Sequence, residues 1–178
     1  MNDLKLVIPD NNDKKSALLM LDEIKVVDAG LPWQYSGLAN LEEATSYEDW
    51  VKEKANEKNG IDLRDGYVPC TTLFLKRMSD NKVCGSISIR HELNDFLFNF
   101  GGHIGYSITP SERGKGYGKL QLNMGLEIAK SLGIKNCLIT ADVENIVSNK
   151  TIISEGGILE NTVIWNNDPL NRYWINLK

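Results

Sequence analysis

Residues 102–119 restrict the folds open to this chain more than any other segment: they read Gly-His-Ile-Gly-Tyr-Ser-Ile-Thr-Pro-Ser-Glu-Arg-Gly-Lys-Gly-Tyr-Gly-Lys. The apolar, β-branched stretch 103–108 predicts a strand, which ends at Pro110 because proline has no N–H for a strand ladder. A basic, glycine-spaced loop follows, and a helical pattern begins at about Gly118. A helix start offers unpaired N–H groups and the positive end of the dipole, and glycines let backbone approach an anion. The segment therefore predicts a site for a phosphate-bearing ligand.

Two common phosphate motifs do not fit this loop. The P-loop pattern requires a hydroxyl after Gly118-Lys119, but Leu120 follows and offers nothing to magnesium. The dinucleotide pattern G-x-G-x-x-G fails because the glycines lie at 114, 116 and 118. Asp142 could imitate a ribose-binding acid, but only 36 residues follow it, too few for a doubly wound sheet. A nucleotide-binding domain is therefore disfavoured.

The loop 113–118, Arg-Gly-Lys-Gly-Tyr-Gly, resembles the R/Q-x-x-G-x-G/A pyrophosphate loop of the GNAT acetyltransferase superfamily. Residues 137–157 resemble the second block of that superfamily, a strand followed by Asn-Ile-x-Ser-x-Lys-x-Ile and a glycine pair. Residues 172–175 resemble the last strand of a bacterial branch of predicted acetyltransferases. With residues 102–106, the likeness spans roughly 68–178, and the first 65 residues match only in general layout.

The fold implied by this resemblance is α/β, with a mixed, mostly antiparallel central sheet of about seven strands flanked by helices. We expect one domain over residues 1–178, of a size that buries roughly 70% of its unfolded surface. The periodicity of the sequence agrees with an alternating α/β order. It predicts strands at 4–8, 71–75, 83–90, 103–108, 136–141, 158–165 and 172–177, and helices at 16–29, from Ser46, at 118–132 and at 146–155.

The resemblance implies acetyl-CoA as co-substrate, with no metal. Ile108 would contribute backbone groups, since in the superfamily the strand ending there splays from the next strand and pairs with the pantetheine amides. Asn145 or Ser148 would hydrogen-bond the pantetheine arm, although Asn145 is also a strong helix N-cap. The three loop glycines have a structural alternative as well, because glycine readily adopts positive φ in turns. The predicted cofactor-binding residues are Ile108, Thr109, Arg113, Gly114, Lys115, Gly116, Tyr117, Gly118, Lys119, Asn145, Ser148 and Lys150.

The catalytic groups typical of the superfamily are missing. Many members carry on the second-block helix a tyrosine that protonates the leaving thiolate, but residues 151–154 contain none. Gly101 and Gly102 occupy the region where some members have a carboxylate base. A thiolate with a pKa of about 8.5 is a tolerable leaving group, so the reaction depends more on a neutral amine and close positioning. His91 and His103 are the candidate bases, directly or through water, with a structural role for both as the alternative.

The function expected from the resemblance is transfer of acetyl to a primary amine by direct attack, on a small molecule or a protein. The alternative is a CoA-binding regulatory domain without turnover. Net charge is −4 and no basic stripe is present, which argues against nucleic acid as a partner. No apolar run reaches the ~18 residues of a membrane span. Three scattered cysteines favour the cytoplasm, and homodimer formation and the identity of the acceptor are left open.

The acidic excess is concentrated between Leu41 and Gly66, which contain eight acids and four bases. One interpretation is a solvated helix face followed by a loop. The other is an acidic rim that attracts a cationic amine.

Overall fold

The computed structural model describes residues 3–178, which form seven strands and four α-helices. Short 3-10 turns precede α1, α2 and α3, and a π-helical turn precedes β4. The elements are β1 (Leu4–Val7), α1 (Lys14–Val27), α2 (Tyr47–Lys58), β2 (Cys70–Arg77), β3 (Lys82–Arg90), β4 (Ile104–Ile108), α3 (Tyr117–Ser131), β5 (Asn136–Asp142), α4 (Ile146–Ser154), β6 (Ile158–Trp165) and β7 (Asp168–Asn176).

The strands form two antiparallel sheets, ordered β1-β2-β3-β4 and β5-β7-β6. The predicted α/β class, the seven strands and the hairpin of β2 and β3 are confirmed. The last strand begins at Asp168, four residues before its predicted start, because the hairpin turns at Asn166 and Asn167. Both asparagines have positive φ (49° and 72°), as tight hairpin turns require.

Helices cover both faces of the sheets because each helix has one apolar stripe. In α1 the buried residues Ala17, Met20, Leu21 and Ile24 follow the helical period and pack with the α2 residues against β2 and β3. The helices α3 and α4 cover the opposite face and pack on a second cluster of hydrophobic side chains. That cluster includes Ile87, Ile89, Ile104, Leu122, Leu126, Ile139 and Ile152.

The two sheets meet at one joint, between Gly102–His103 and the middle of β5. The His103 N–H donates to the Leu138 carbonyl (2.7 Å), and the Leu138 N–H donates to His103 Nδ1 (2.9 Å). Gly102 has φ +63°, and a Cβ there would lie 2.7 Å from the Leu138 carbonyl oxygen. The strand β4 therefore starts at Ile104 rather than at the predicted His103. Beyond the joint, β4 and β5 diverge, with no ladder pairing between them in residues 3–178.

Candidate functional site

A groove of about 700 Å³ occupies the space between the diverging strands β4 and β5. Its far end is the loop before α3, and its near end is the joint at His103. The connection between α1 and α2 covers one side, and the start of α4 forms the other. The lining residues lie in five segments: 28–36, 104–108, 112–119, 140–142 and 144–151.

The edge of β4 turns backbone groups toward this groove, and of these the Ile108 carbonyl accepts from Arg113 Nε. The His103 carbonyl accepts from Arg90 N–H (2.8 Å), and the Thr109 N–H donates to the Cys84 carbonyl (2.9 Å), so both point toward β3. Backbone groups alternate in direction along a strand, which turns those of Ile104, Tyr106 and Ile108 toward the groove. An extended ligand with amide groups can pair there as an added strand.

The glycine loop supplies a second set of free donors. Gly114 and Gly116 adopt the left-handed region, with φ of 77° and 78°. Gly116 is the N-cap of α3, and no side chain caps the helix. Within residues 3–178, none of the six N–H groups from Gly114 to Lys119 has an intramolecular acceptor. Six free donors at the positive end of a helix dipole favour the binding of an anion.

The basic side chains of the loop are held by carboxylates. Arg113 forms two hydrogen bonds to Asp28 at the end of α1, one of them 2.8 Å, and its Nε donates to the Ile108 carbonyl (3.1 Å). Lys115 pairs with Glu112 (2.8 Å). Because Asp28 and Arg113 are 85 residues apart in sequence, no local pattern could have identified their pairing.

Glu112 is a buried carboxylate held by three cations. Lys115, Lys82 and Arg77 lie within 2.8 to 2.9 Å of its oxygens. Burial by itself would raise the pKa of Glu112, but the hydrogen bonds to these cations outweigh it and lower the pKa to about 2. Glu112 therefore stays ionised and anchors the turn that leads into the loop.

Nine of the twelve residues predicted to bind the cofactor line the groove, and three do not. Thr109 is buried and donates to the Val83 carbonyl (3.0 Å). Lys115 extends toward Glu112, and Lys150 is exposed on α4 outside the groove. The nine are Ile108, Arg113, Gly114, Gly116, Tyr117, Gly118, Lys119, Asn145 and Ser148.

The start of α4 is ordered by a cap and a cross-groove contact. The Asn145 side chain accepts from the Ser148 N–H (3.1 Å), which confirms the predicted N-cap. The Ser148 hydroxyl lies 3.1 Å from the hydroxyl of Tyr106 on β4. Burial raises the pKa of Tyr106 by more than its hydrogen bonds with Ser148 and Thr151 lower it. Tyr106 was not among the predicted site residues, because no motif marks a strand tyrosine.

The two histidines flank the ends of β3 and β4, and they contact different groups. The Arg90 N–H donates to the His103 carbonyl (2.8 Å), and the His91 N–H donates to the Pro69 carbonyl (2.8 Å). His91 Nε2 lies 2.8 Å from Thr71 Oγ1, and burial lowers its pKa. Burial lowers the pKa of His103 to about 4. Neither imidazole lines the groove.

The acidic segment between Leu41 and Gly66 does not contribute to the groove either. Two of its acids form ion pairs nearby: Glu57 with Lys54 (2.6 Å) and Glu53 with Arg64 (2.9 Å). This arrangement agrees with the interpretation as a helix face and loop.

Residues 3–178 contain no helix long and apolar enough to cross a membrane. The same residues contain no cluster of His, Cys, Asp or Glu side chains able to hold a metal ion.

A sequence model described as the acetyltransferase (GNAT) family matches residues 35–151. No curated protein matches the chain. Among solved structures, a microcin C7 self-immunity acetyltransferase in complex with acetyl-CoA and AMP is similar, with a TM-score of 0.69 at 19% identity, covering 99% of this chain and 93% of the other. An N-acetyltransferase from Staphylococcus aureus Mu50 has a TM-score of 0.68 at 15% identity, covering 98% and 99%. At such identities the structural likeness concerns the fold.

Proposed function

The chain belongs to the acetyltransferase (GNAT) family, and we propose that it transfers the acetyl group of acetyl-CoA to a primary amine by direct attack. The observation that carries the proposal is the row of six free N–H groups, Gly114 to Lys119, at the end of a groove with an open strand edge. A ligand with a phosphate group at one end and amides along its length matches both features.

In this proposal the pyrophosphate binds at the start of α3, and the pantetheine arm runs along β4 toward the joint. Ile108 and Tyr106 offer backbone groups to the pantetheine amides, while Asn145 and Ser148 lie on the opposite wall. The thioester would then lie near Ile104, where the strands converge. The microcin C7 self-immunity acetyltransferase, which has a similar fold and is in complex with acetyl-CoA and AMP, supports acetyl-CoA as a ligand.

Direct attack by the amine is favoured because the cysteines are poor nucleophiles. Burial raises the pKa of Cys70 and Cys84, and raises that of Cys137 to about 12. A thiol that stays protonated does not form an acyl-enzyme at neutral pH. The amine nitrogen therefore attacks the acetyl carbonyl itself, after losing its proton to a base.

The base in this proposal is His91, with His103 as the second candidate, and it acts through water because neither imidazole lines the groove. Both histidines are also engaged in other contacts, His91 with Thr71 and His103 with Leu138. A pH profile of kcat/KM for His91→Gln and His103→Gln tests each. Loss of the acidic limb in one variant, with CoA affinity retained, would support that residue.

Ligand binding provides the first test of the proposal. Acetyl-CoA or CoA at about 100 times Kd should stabilise the fold by roughly 2.7 kcal/mol, visible as a rise in Tm. Equal concentrations of ATP serve as the control for general phosphate binding. An unchanged Tm in millimolar CoA, or a larger rise with ATP, would contradict the proposal.

Turnover provides the second test. A panel of small amines and peptides with acetyl-CoA should release free thiol with at least one acceptor. CoA binding with no turnover of any amine would instead favour a regulatory CoA-binding domain.

We further propose that residues 1–178 form a single domain, and that the protein belongs to a bacterial branch of the family, is cytoplasmic and forms a homodimer. Limited proteolysis tests the domain, and light scattering tests the dimer.

A further inference from the structure

Tyr106 is a groove residue for which the proposed function has so far given the side chain no role. It extends from β4 across the groove to the first turn of α4, where its hydroxyl meets that of Ser148 at 3.1 Å. The phenol is partly buried and lines the groove on the side toward the joint, away from the glycine loop. Its hydroxyl is therefore a polar group near the end of the groove where the thioester would lie.

The helix α4 itself offers no phenol to the departing sulfur. Its middle residues are Thr151, Ile152 and Ile153, and Ile152 is fully buried in the core. The Thr151 hydroxyl donates to the Val147 carbonyl (2.8 Å), and its oxygen lies within reach of the Tyr106 hydroxyl. Among the residues of β4 and α4 that line the groove, Tyr106 alone carries a phenol.

We propose that the Tyr106 hydroxyl donates a hydrogen bond to the CoA sulfur as it leaves, with Ser148 holding the phenol in place. The inference rests on the proposed function. The amine nitrogen forms the C–N bond, the C–S bond breaks, and its electron pair goes to sulfur. The thiolate is stabilised by the Tyr106 O–H, which keeps its proton, and the extra proton on nitrogen goes to water.

A hydrogen bond fits the acidities better than full proton transfer. A thiol has a pKa of about 8.5 and a phenol one of about 10, so the phenol is the weaker acid. A hydrogen bond to a charged group still strengthens as charge develops on sulfur. The Ser148 hydroxyl can donate to the phenol oxygen at the same time, and the Tyr106 proton, which can also reach Thr151 Oγ1, is then available to the sulfur.

The test compares CoA with desulfo-CoA, which lacks the sulfur, and needs no acceptor. The preference of the protein for CoA is the ratio of its affinities for CoA and for desulfo-CoA. We expect this preference to rise about threefold or more in the wild type between pH 7 and pH 9, as the CoA thiol ionises. In Tyr106→Phe the ring remains, and the preference should not change with pH. Ser148→Ala should lie between the two. The charged side chains that line the groove, and so face the same ligand, are Asp28, Glu112, Arg113, Lys119, Asp142 and Glu144.

Tyr117→Phe is the matched control, since it removes a hydroxyl from the same groove at the phosphate end. Its affinity for both ligands can change, but its preference should rise with pH as in the wild type. With an acceptor in hand, Tyr106→Phe should lower kcat about 10- to 100-fold and leave KM for acetyl-CoA unchanged.

The outcomes separate the inference from the proposed function. Wild-type protein that binds neither CoA nor desulfo-CoA contradicts both. Wild-type protein that binds both ligands without a pH-dependent preference overturns the role of Tyr106 alone. A Tyr106→Phe variant whose preference for CoA still rises with pH also overturns that role, whether or not its affinity for both ligands falls.

Discussion

Glycine has opposite roles at the two ends of the groove between β4 and β5. At the closed end, which is the joint with β5, Gly102 is enclosed, because a Cβ would lie 2.7 Å from the Leu138 carbonyl oxygen. At the open end, which is the glycine loop before α3, a Cβ on Gly114 or Gly116 would meet no protein atom within 4 Å. The closed end has its polar groups paired, while the N–H groups of the open end are free. Glycine at the first end is required by the protein's own packing, and at the second end it leaves room for a ligand.

Gly102→Ala should give the largest effect, since it breaks the closed end. The added Cβ meets backbone, and φ +63° is strained for alanine, so we expect a loss of about 3 kcal/mol or more in the free energy of unfolding. Gly114→Ala is the matched control at the open end and should lose only about 1–2 kcal/mol, from its φ alone. Urea unfolding of both variants measures the difference, and equal losses would contradict the comparison.

Replacing His103 should have the next largest effect and should depend on pH. Burial lowers the pKa of His103 to about 4, below the value of about 6.5 in an unfolded chain. The folded state thus binds fewer protons, and the contribution of neutral His103 is complete above pH 6.5 and lost as the pH falls toward 4. The difference between these two pKa values corresponds to roughly 3 kcal/mol in the free energy of unfolding.

Two variants separate this titration from the hydrogen bond to Leu138. His103→Asn offers an oxygen to the Leu138 N–H and does not titrate, so its stability should fall less between pH 6.5 and 4 than that of the wild type. His103→Ala leaves the N–H unpaired and should lose about 1–3 kcal/mol at pH 7. Parallel stability curves for wild type and His103→Asn would show that another group titrates.

Gly118→Val should separate binding from stability at the open end. Gly118 lies in the first turn of α3, and only Ile108 Cγ1 lies within 4 Å of a Cβ there, at 3.8 Å. We expect a stability change within about 1 kcal/mol, but a loss of CoA affinity of about tenfold or more, since the side chain blocks approach of the phosphate. Calorimetric titration with CoA and urea unfolding measure the two effects. Retained affinity with reduced stability would make Gly118 a structural residue only.

Lys150→Ala should give the smallest effect. The side chain is exposed and lies outside the groove, although the sequence analysis included it among the binding residues. Stability should stay within about 0.5 kcal/mol of the wild type. CoA affinity, measured by the same titration, should change less than about twofold, because a distant exposed charge is largely screened. A larger loss of affinity would place Lys150 in contact with the ligand.

Features that depend on near neighbours in the chain were predicted well. Asn145 caps α4, α2 begins one residue after the predicted start at Ser46, and α3 ends one residue before the predicted end at 132. Each depends on hydrogen bonds or φ preferences within about one helical turn, so residue type is sufficient to identify it. The glycine loop belongs to the same class, since a strand, a loop and a helix start adjoin one another in the chain.

The sequence by itself determined the strand, loop and helix order of residues 104–119 and the family to which they belong. Only the tertiary structure decided which side chains meet across the groove. Arg113 meets Asp28 over 85 residues, Tyr106 meets Ser148 over 42, and His103 meets Leu138 over 35. These contacts depend on how helices pack on the sheets and where the strands part. The groove therefore exists only in the folded chain, because long-range packing brings its two walls together.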